Sequence, residues 1–316
     1  MSNILKLTSV RMRLAMRNRL FLFFSLIMPL GFLFIYATIF GGGEPGRVKY
    51  LMPSVLALTV MGSFWGLSVQ LVLYREQGIL RRFRLTPVGA FAMLVSGILA
   101  NYLLTLPTIV IEFVLMRAVW KVNSFGNLFG VLVLLTLGTM TFAAFGLIVA
   151  SVAGSTQETQ VINNVIWMLF LFFSGATFPL VFFPGWLQRV SVFLPATHLV
   201  VGLQYVFIGG VSLFRILPEL VGLLAGLTMA LAVSTKLFRW EPDAKISRQA
   251  KLAAAAVVIP FLLVGAWENS QGARRSELKA IYESAIQEGA PAPSAPQSSA
   301  PATPNETPSH PSQKPN

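Results

Sequence analysis

Residues 74–88 read Tyr74-Arg75-Glu76-Gln77-Gly78-Ile79-Leu80-Arg81-Arg82-Phe83-Arg84-Leu85-Thr86-Pro87-Val88. The stretch holds one acid, Glu76, and four arginines, Arg75, Arg81, Arg82 and Arg84. Leu80 and Phe83 form an apolar pair at helical spacing. Thr86-Pro87 then turns the chain, because a residue before proline avoids the helical region. Recognition is the chemistry such residues offer: a short amphipathic helix under a membrane, with a face for docking a cytosolic partner. A positively charged loop that only sets topology fits the same residues equally well.

Reaction chemistry has little to stand on. The sequence has no Gly-x-x-x-x-Gly-Lys-Ser/Thr phosphate loop, no Gly-x-Gly-x-x-Gly, no His-Glu-x-x-His and no Gly-x-Ser-x-Gly elbow. Its two histidines, His198 and His310, are far apart, and the lack of cysteine rules out thiolate ligands, disulfides and a cysteine nucleophile. No catalytic, cofactor-binding or metal-ligating residues are therefore assigned. Energy must come from an ion gradient or a partner protein. An ion-coupled transporter or channel, the alternative reading, needs a carboxylate or histidine deep in the membrane. The best candidate is Glu112, about 21 residues past the start of an apolar run at 91–117. At about 1.5 Å per residue it lies roughly 30 Å along, near the far interface. A solvated or arginine-paired rim carboxylate is expected there rather than a proton relay. Glu219 stands similarly at the start of the run 217–238.

The elements that hold these residues are membrane spans. Of 316 residues 55% are hydrophobic and 11% charged, and mean hydropathy is +0.69. Soluble domains carry about 25% charged residues, so lipid is the expected solvent. Six runs are long enough to span as helices: 20–40, 50–73, 91–117, 127–151, 161–181 and 217–238. A seventh, 252–267, is shorter and alanine-rich. If it spans, the tail is extracytoplasmic; if it lies on the membrane, the tail stays inside. The net charge of +12 is gathered at the ends of the runs, which points to membrane flanks and not to nucleic acid.

With the amino terminus inside, the cytoplasmic segments hold fourteen Lys and Arg against six outside. That asymmetry places the amino terminus in the cytoplasm. Residues 1–19 carry Lys6, Arg13 and Arg17 on one helical face and Leu5, Met12 and Met16 on another, with Arg11 and Arg19 off the pattern. They read as an interfacial helix or as a plain positive anchor. The run from Leu20 ends in Gly41-Gly42-Gly43 without a short signal-type core, so it is expected to be retained. Residues 182–216 are too apolar for an aqueous loop and are broken by Pro184, Pro195 and Gly209-Gly210. A pair of short helices dipping into the outer leaflet fits. After Gln287 the chain is rich in Pro, Ala and Ser and is expected to be disordered.

Taken in order, Arg75-Glu76-x-Gly78-x-Leu80-x-x-x-Arg84-x-Thr86-Pro87, Ser174-Gly175 with Phe178-Pro179, and Phe183-Pro184-x-Trp186-Leu187 followed by Leu194-Pro195-x-Thr197-His198 resemble the permease subunits of type-2 ABC exporters over roughly residues 1–240. The resemblance implies an all-α polytopic membrane protein. Residues 1–19 would be a connecting helix, and 20–240 a six-helix permease bundle. Within it, 75–88 would be the coupling helix to the ATPase, including Arg75, Glu76, Gly78, Leu80, Arg81, Arg82, Phe83, Arg84, Thr86 and Pro87. Residues 182–210 would be the re-entrant outer helices, with Phe183, Pro184, Trp186, Leu194, Pro195 and His198 at the gate. A linker and possible seventh span at 241–268 and a largely disordered tail at 269–316 depart from that pattern. The implied partners are a cytosolic ABC ATPase, which would carry the MgATP, a second permease subunit in a homo- or heterodimer, and membrane lipid. The implied setting is the bacterial plasma membrane.

Overall fold

The computed structural model describes residues 2–85, 88–241 and 248–271, with 279, 280 and 283. Thr86-Pro87, most of the linker at 242–247 and nearly all of the expected disordered tail lie outside the described residues. Every element among the described residues is helical. In chain order these are α1 (Ser2–Arg17), α2 (Arg19–Ile35, continued by a π turn Tyr36–Phe40), α3 (Pro45–Met61), α4 (Ser63–Glu76), α5 (Ile79–Phe83), α6 (Ala90–Ala118), α7 (Leu128–Val152), α8 (Thr156–Phe173), α9 (Gly185–Ser191), α10 (Pro195–Phe207), α11 (Leu217–Lys236), α12 (Arg248–Ala255) and α13 (Ile259–Gln271).

Five helices are long and apolar enough to cross a membrane: 45–76, 90–118, 128–152, 213–236 and 248–270. Four of them are expected spans and the fifth contains the seventh apolar run. That helix begins earlier and ends later than 252–267 and packs along α11. The first expected span appears as a shorter apolar helix, and the fifth as α8, whose first half, from Thr156 through Asn164, is too polar to count as a span. Pro29 and the π turn interrupt regular hydrogen bonding in the first, while the helix of the fifth stops at Phe173 before Gly175 takes φ +89. α9 and α10 meet at 100°, a sharp bend where Pro184 and Pro195 break the expected segment.

α7 is the centre of the bundle, touching α4, α11, α10, α6 and α3. Small side chains permit this. A Cβ on Gly146 would lie 2.3 Å from the Phe64 carbonyl oxygen, so α4 and α7 cross almost backbone to backbone. Lipid gives apolar helices no hydrophobic drive to associate, so close packing of this kind supplies the attraction. At the opposite end of α7, Asn127 accepts from the Gly130 N–H at 3.1 Å and gives its Nδ2 hydrogen to the Val211 carbonyl at 3.1 Å. Gly126 must be glycine: its φ is +58 and a Cβ would lie 2.2 Å from the Val206 carbonyl oxygen. The whole of α10 from Pro195 to Phe207 is consequently buried.

α1 lies along α6, but not by its expected apolar face. Thr8, Arg11 and Ala15 are buried, whereas Leu5 and Met16 are more than half exposed. Contact with the small residues Gly97 and Ala100 of α6 decides the orientation, leaving the larger apolar side chains outward.

Gly146→Val should lower thermal stability in detergent by about 1–3 kcal/mol, the usual cost of overpacking. Gly31→Ala, where nothing lies within 4 Å of the new Cβ, should leave the unfolding temperature nearly unchanged.

Candidate functional site

The basic segment begins where α4 ends. Gly78 takes φ +68, a left-handed conformation that lets its N–H reach the Arg75 carbonyl at 3.1 Å and closes the helix. α5 then runs for one and a half turns. Leu80 is fully buried among Leu71, Val72, Met93 and Leu94, and Phe83 packs against the same cluster. The apolar pair of the expected amphipathic helix anchors α5 to the bundle, because burying it there removes it from water. The outward face is basic: Arg81, Arg82, Arg84 and Leu85 are exposed. Guanidinium groups on such a face suit carboxylates and phosphates through paired hydrogen bonds.

Arg75 and Glu76 turn inward, toward the connection between α7 and α8. Arg75 is 2% exposed; its Nη1 donates to the Ala150 carbonyl at 2.9 Å and its Nη2 to the Ala153 carbonyl at 2.6 Å. Arg239 donates to the same Ala153 oxygen at 2.6 Å. These are carbonyls at the end of α7, which have no partner within their own helix. Glu76 does the converse at the start of α8, its Oε1 accepting from the Thr156 N–H at 2.8 Å and its Oε2 from the Thr156 hydroxyl at 2.6 Å. Cations at a helix carboxyl end and an anion at an amino end both match the helix dipole. Ser155 caps α8 by accepting from the Glu158 N–H at 3.1 Å, and Glu158 accepts from the Gly154 N–H at 2.6 Å. Outside the spans, burial pushes the Arg239 guanidinium below its ordinary pKa, with Glu158 opposing the shift. Arg84 pairs with Glu241 at 2.7 Å, tying the segment after α11 to the same junction.

Thr156, Arg239 and Glu241 complete a site for which the sequence singled out only one strand of contacts. Ser155-x-x-Glu158 is a capping-box signal that could have marked the start of α8. Nothing in the spacing could have joined residue 75 to residues 150–156 or 239.

The residues expected at the outer gate separate into two groups. Trp186 is 67% exposed on α9, and the loop before it is held by a 2.9 Å bond from Gln188 Nε2 to the Phe183 carbonyl. Pro184 precedes α9, and Leu194 and Pro195 open α10. His198 is buried instead, 3.7 Å from Glu268 of α13 and in ring contact with Phe261. Glu112 also departs from expectation. It is fully buried and accepts from the Thr59 hydroxyl at 2.6 Å, neither solvated nor arginine-paired. A roof covers the end of α6, where Phe113 stacks with Phe125 and with Phe207 of α10, so depth along the helix does not bring Glu112 to water. No group of three or more His, Cys, Asp or Glu among the described residues is placed to hold a metal.

The arrangement joins the exposed cations of α5 to the facing ends of α7 and α8. Several similar proteins are named as permeases. A putative transport permease, YvfS, of Bacillus subtilis is 28% identical over 213 residues, covering 62% of this chain and 82% of the relative. A putative transport permease, ycf38, of Cyanophora paradoxa is 26% identical, covering 60% and 69%. A probable doxorubicin resistance ABC transporter permease protein, DrrC, of Mycobacterium tuberculosis is 25% identical, covering 66% and 78%. The family model described as ABC-2 type transporter matches residues 3–208, from α1 through α10. The chain belongs to the ABC-2 type transporter family, as an integral membrane permease whose family works with an ATP-binding subunit.

Proposed function

We propose that this permease forms the membrane path of an exporter in the bacterial plasma membrane, with its amino terminus cytoplasmic and a second permease subunit beside it. A separate cytosolic ATPase docks on the exposed basic face of Arg81, Arg82 and Arg84 and holds the MgATP. The substrate is amphipathic, in first place a drug- or antibiotic-like compound and next a lipid or lipid-linked glycan, and it moves outward by alternating access. Apolar spans with few fixed charges suit such a molecule better than a small inorganic ion. The relative named for doxorubicin resistance supports the first class.

One observation carries the coupling part of this reading: Arg75 and Glu76 bind the facing ends of α7 and α8 immediately before the basic helix. A displacement of α5 then moves two helices of the bundle through short charge-assisted bonds.

Glu76→Gln should leave the ATPase bound and hydrolysing ATP, while transport by the reconstituted complex falls about tenfold, in keeping with about 1.5–3 kcal/mol for a hydrogen bond to a charged group. Parallel loss of hydrolysis and transport would place Glu76 in folding alone. Replacing Arg81 and Arg82 together by Ser should reduce recovery of a soluble phosphate-loop ATPase with the purified permease, at unchanged permease stability. Full transport by the permease alone on an ion gradient would falsify the ATP-driven reading.

A further inference from the structure

Arg11 carries a charge that its surroundings do not balance. It stands on α1, 6% exposed, with its guanidinium against α6. Gly97 makes the room, since a Cβ there would lie 2.7 Å from Nη1. Nη2 donates to the Met93 sulfur at 2.9 Å, and a thioether is a weak acceptor. No carboxylate pairs with Arg11 among the ion pairs of the described residues. Burial lowers its pKa and Tyr74 opposes the shift, yet an arginine in a protein keeps its proton. A buried cation without a counterion is costly, so an anion that enters beside it gains more than it would in water.

The room for such an anion is present. Arg11, Gln70, Tyr74, Asn101 and Gln160 line a cavity of about 340 Å³. A second cavity, of about 650 Å³, shares Trp65, Asn101, Leu104 and Gln160 with the first and continues past Met28, Phe32 and Trp167 to Thr59. Tyr74 and Thr59 are 15 residues apart along α3 and α4, about 22 Å as helix. That exceeds the depth of one leaflet's hydrocarbon, about 15 Å. The joined space is cationic and amide-lined at the α5 end and apolar and aromatic beyond. It has the head-and-tail form of an amphiphile.

We propose that Arg11 anchors the headgroup in a binding site for an anionic amphiphile, whose apolar body lies in the adjoining aromatic cavity between α2, α4, α6 and α8. The site narrows the substrate class and rests on the transport reading only for the amphiphile being carried; binding itself is separable from ATP coupling.

Thermal unfolding of the full-length chain in maltoside micelles tests it, with dodecyl phosphate, dodecyltrimethylammonium and inorganic phosphate as probes. Dodecyl phosphate should raise the unfolding temperature of the wild type and of Arg13→Gln, whose side chain is exposed on the same helix. Its apparent affinity should fall about tenfold in Arg11→Gln and remain closer to wild type in Arg11→Lys. The ammonium probe should show no dependence on residue 11. Equal stabilisation of wild type and Arg11→Gln by dodecyl phosphate overturns the proposal. Inorganic phosphate acting as strongly as dodecyl phosphate also overturns it, since the site would then take a free anion. Leu104→Trp narrows the apolar cavity and leaves Arg11 in place. Unchanged dodecyl phosphate binding there refutes the site even if Arg11→Gln does not fold. A failed transport experiment leaves these outcomes untouched.

Discussion

Helix ends are the weak points of a bundle in lipid, because their last carbonyls and first amides have no water to turn to. At the α7–α8 connection both kinds of end meet within a few residues. Arg75 and Arg239 supply donors to the carbonyls, and Glu76 supplies an acceptor to the Thr156 amide. The connection can therefore be tight while its helix-end groups keep hydrogen-bond partners. Removing one of these side chains would strand polar groups, which is the costly half of any hydrogen bond.

The same junction roots the basic segment in the bundle. The Arg75 guanidinium bonds two carbonyls at the end of a neighbouring helix. Here α5 is fixed on three sides. Gly78 fixes its angle to α4, Leu80 fixes its depth, and Arg84 with Glu241 holds it to the segment after α11. Arg81 and Arg82 remain exposed and face away from the bundle.

Packing around α7 supplies the second constraint. Glycines at 138 and 146 bring α4 and α10 against its backbone, and the fully buried α10 in turn roofs the end of α6. Of the bent pair, α10 is thus part of the core, while α9 keeps Trp186 and Arg189 exposed. α13 extends this core beyond the stretch shared with relatives: Phe261 fills the space left by Gly226 of α11, and Glu268 reaches His198.

By itself the sequence determined the class of solvent, the positions of most spans, the break at Pro184 and Pro195, and the basic segment after α4. Each of these follows from composition or short-range spacing, where a run of apolar residues or a proline acts on its own neighbourhood. The tertiary structure alone decided which way the side chains look. Arg11 broke the pattern of α1 in the sequence because it belongs to a cavity formed with α4 and α6, not to the surface of its own helix. Leu80 and Phe83 turned inward, Glu112 went under a roof built from residues 125 and 207, and Arg75 met carbonyls 75 and 78 residues away. Contacts between distant segments leave no periodicity to read. They depend on how helices cross, and that is set by the sum of packing over the whole bundle.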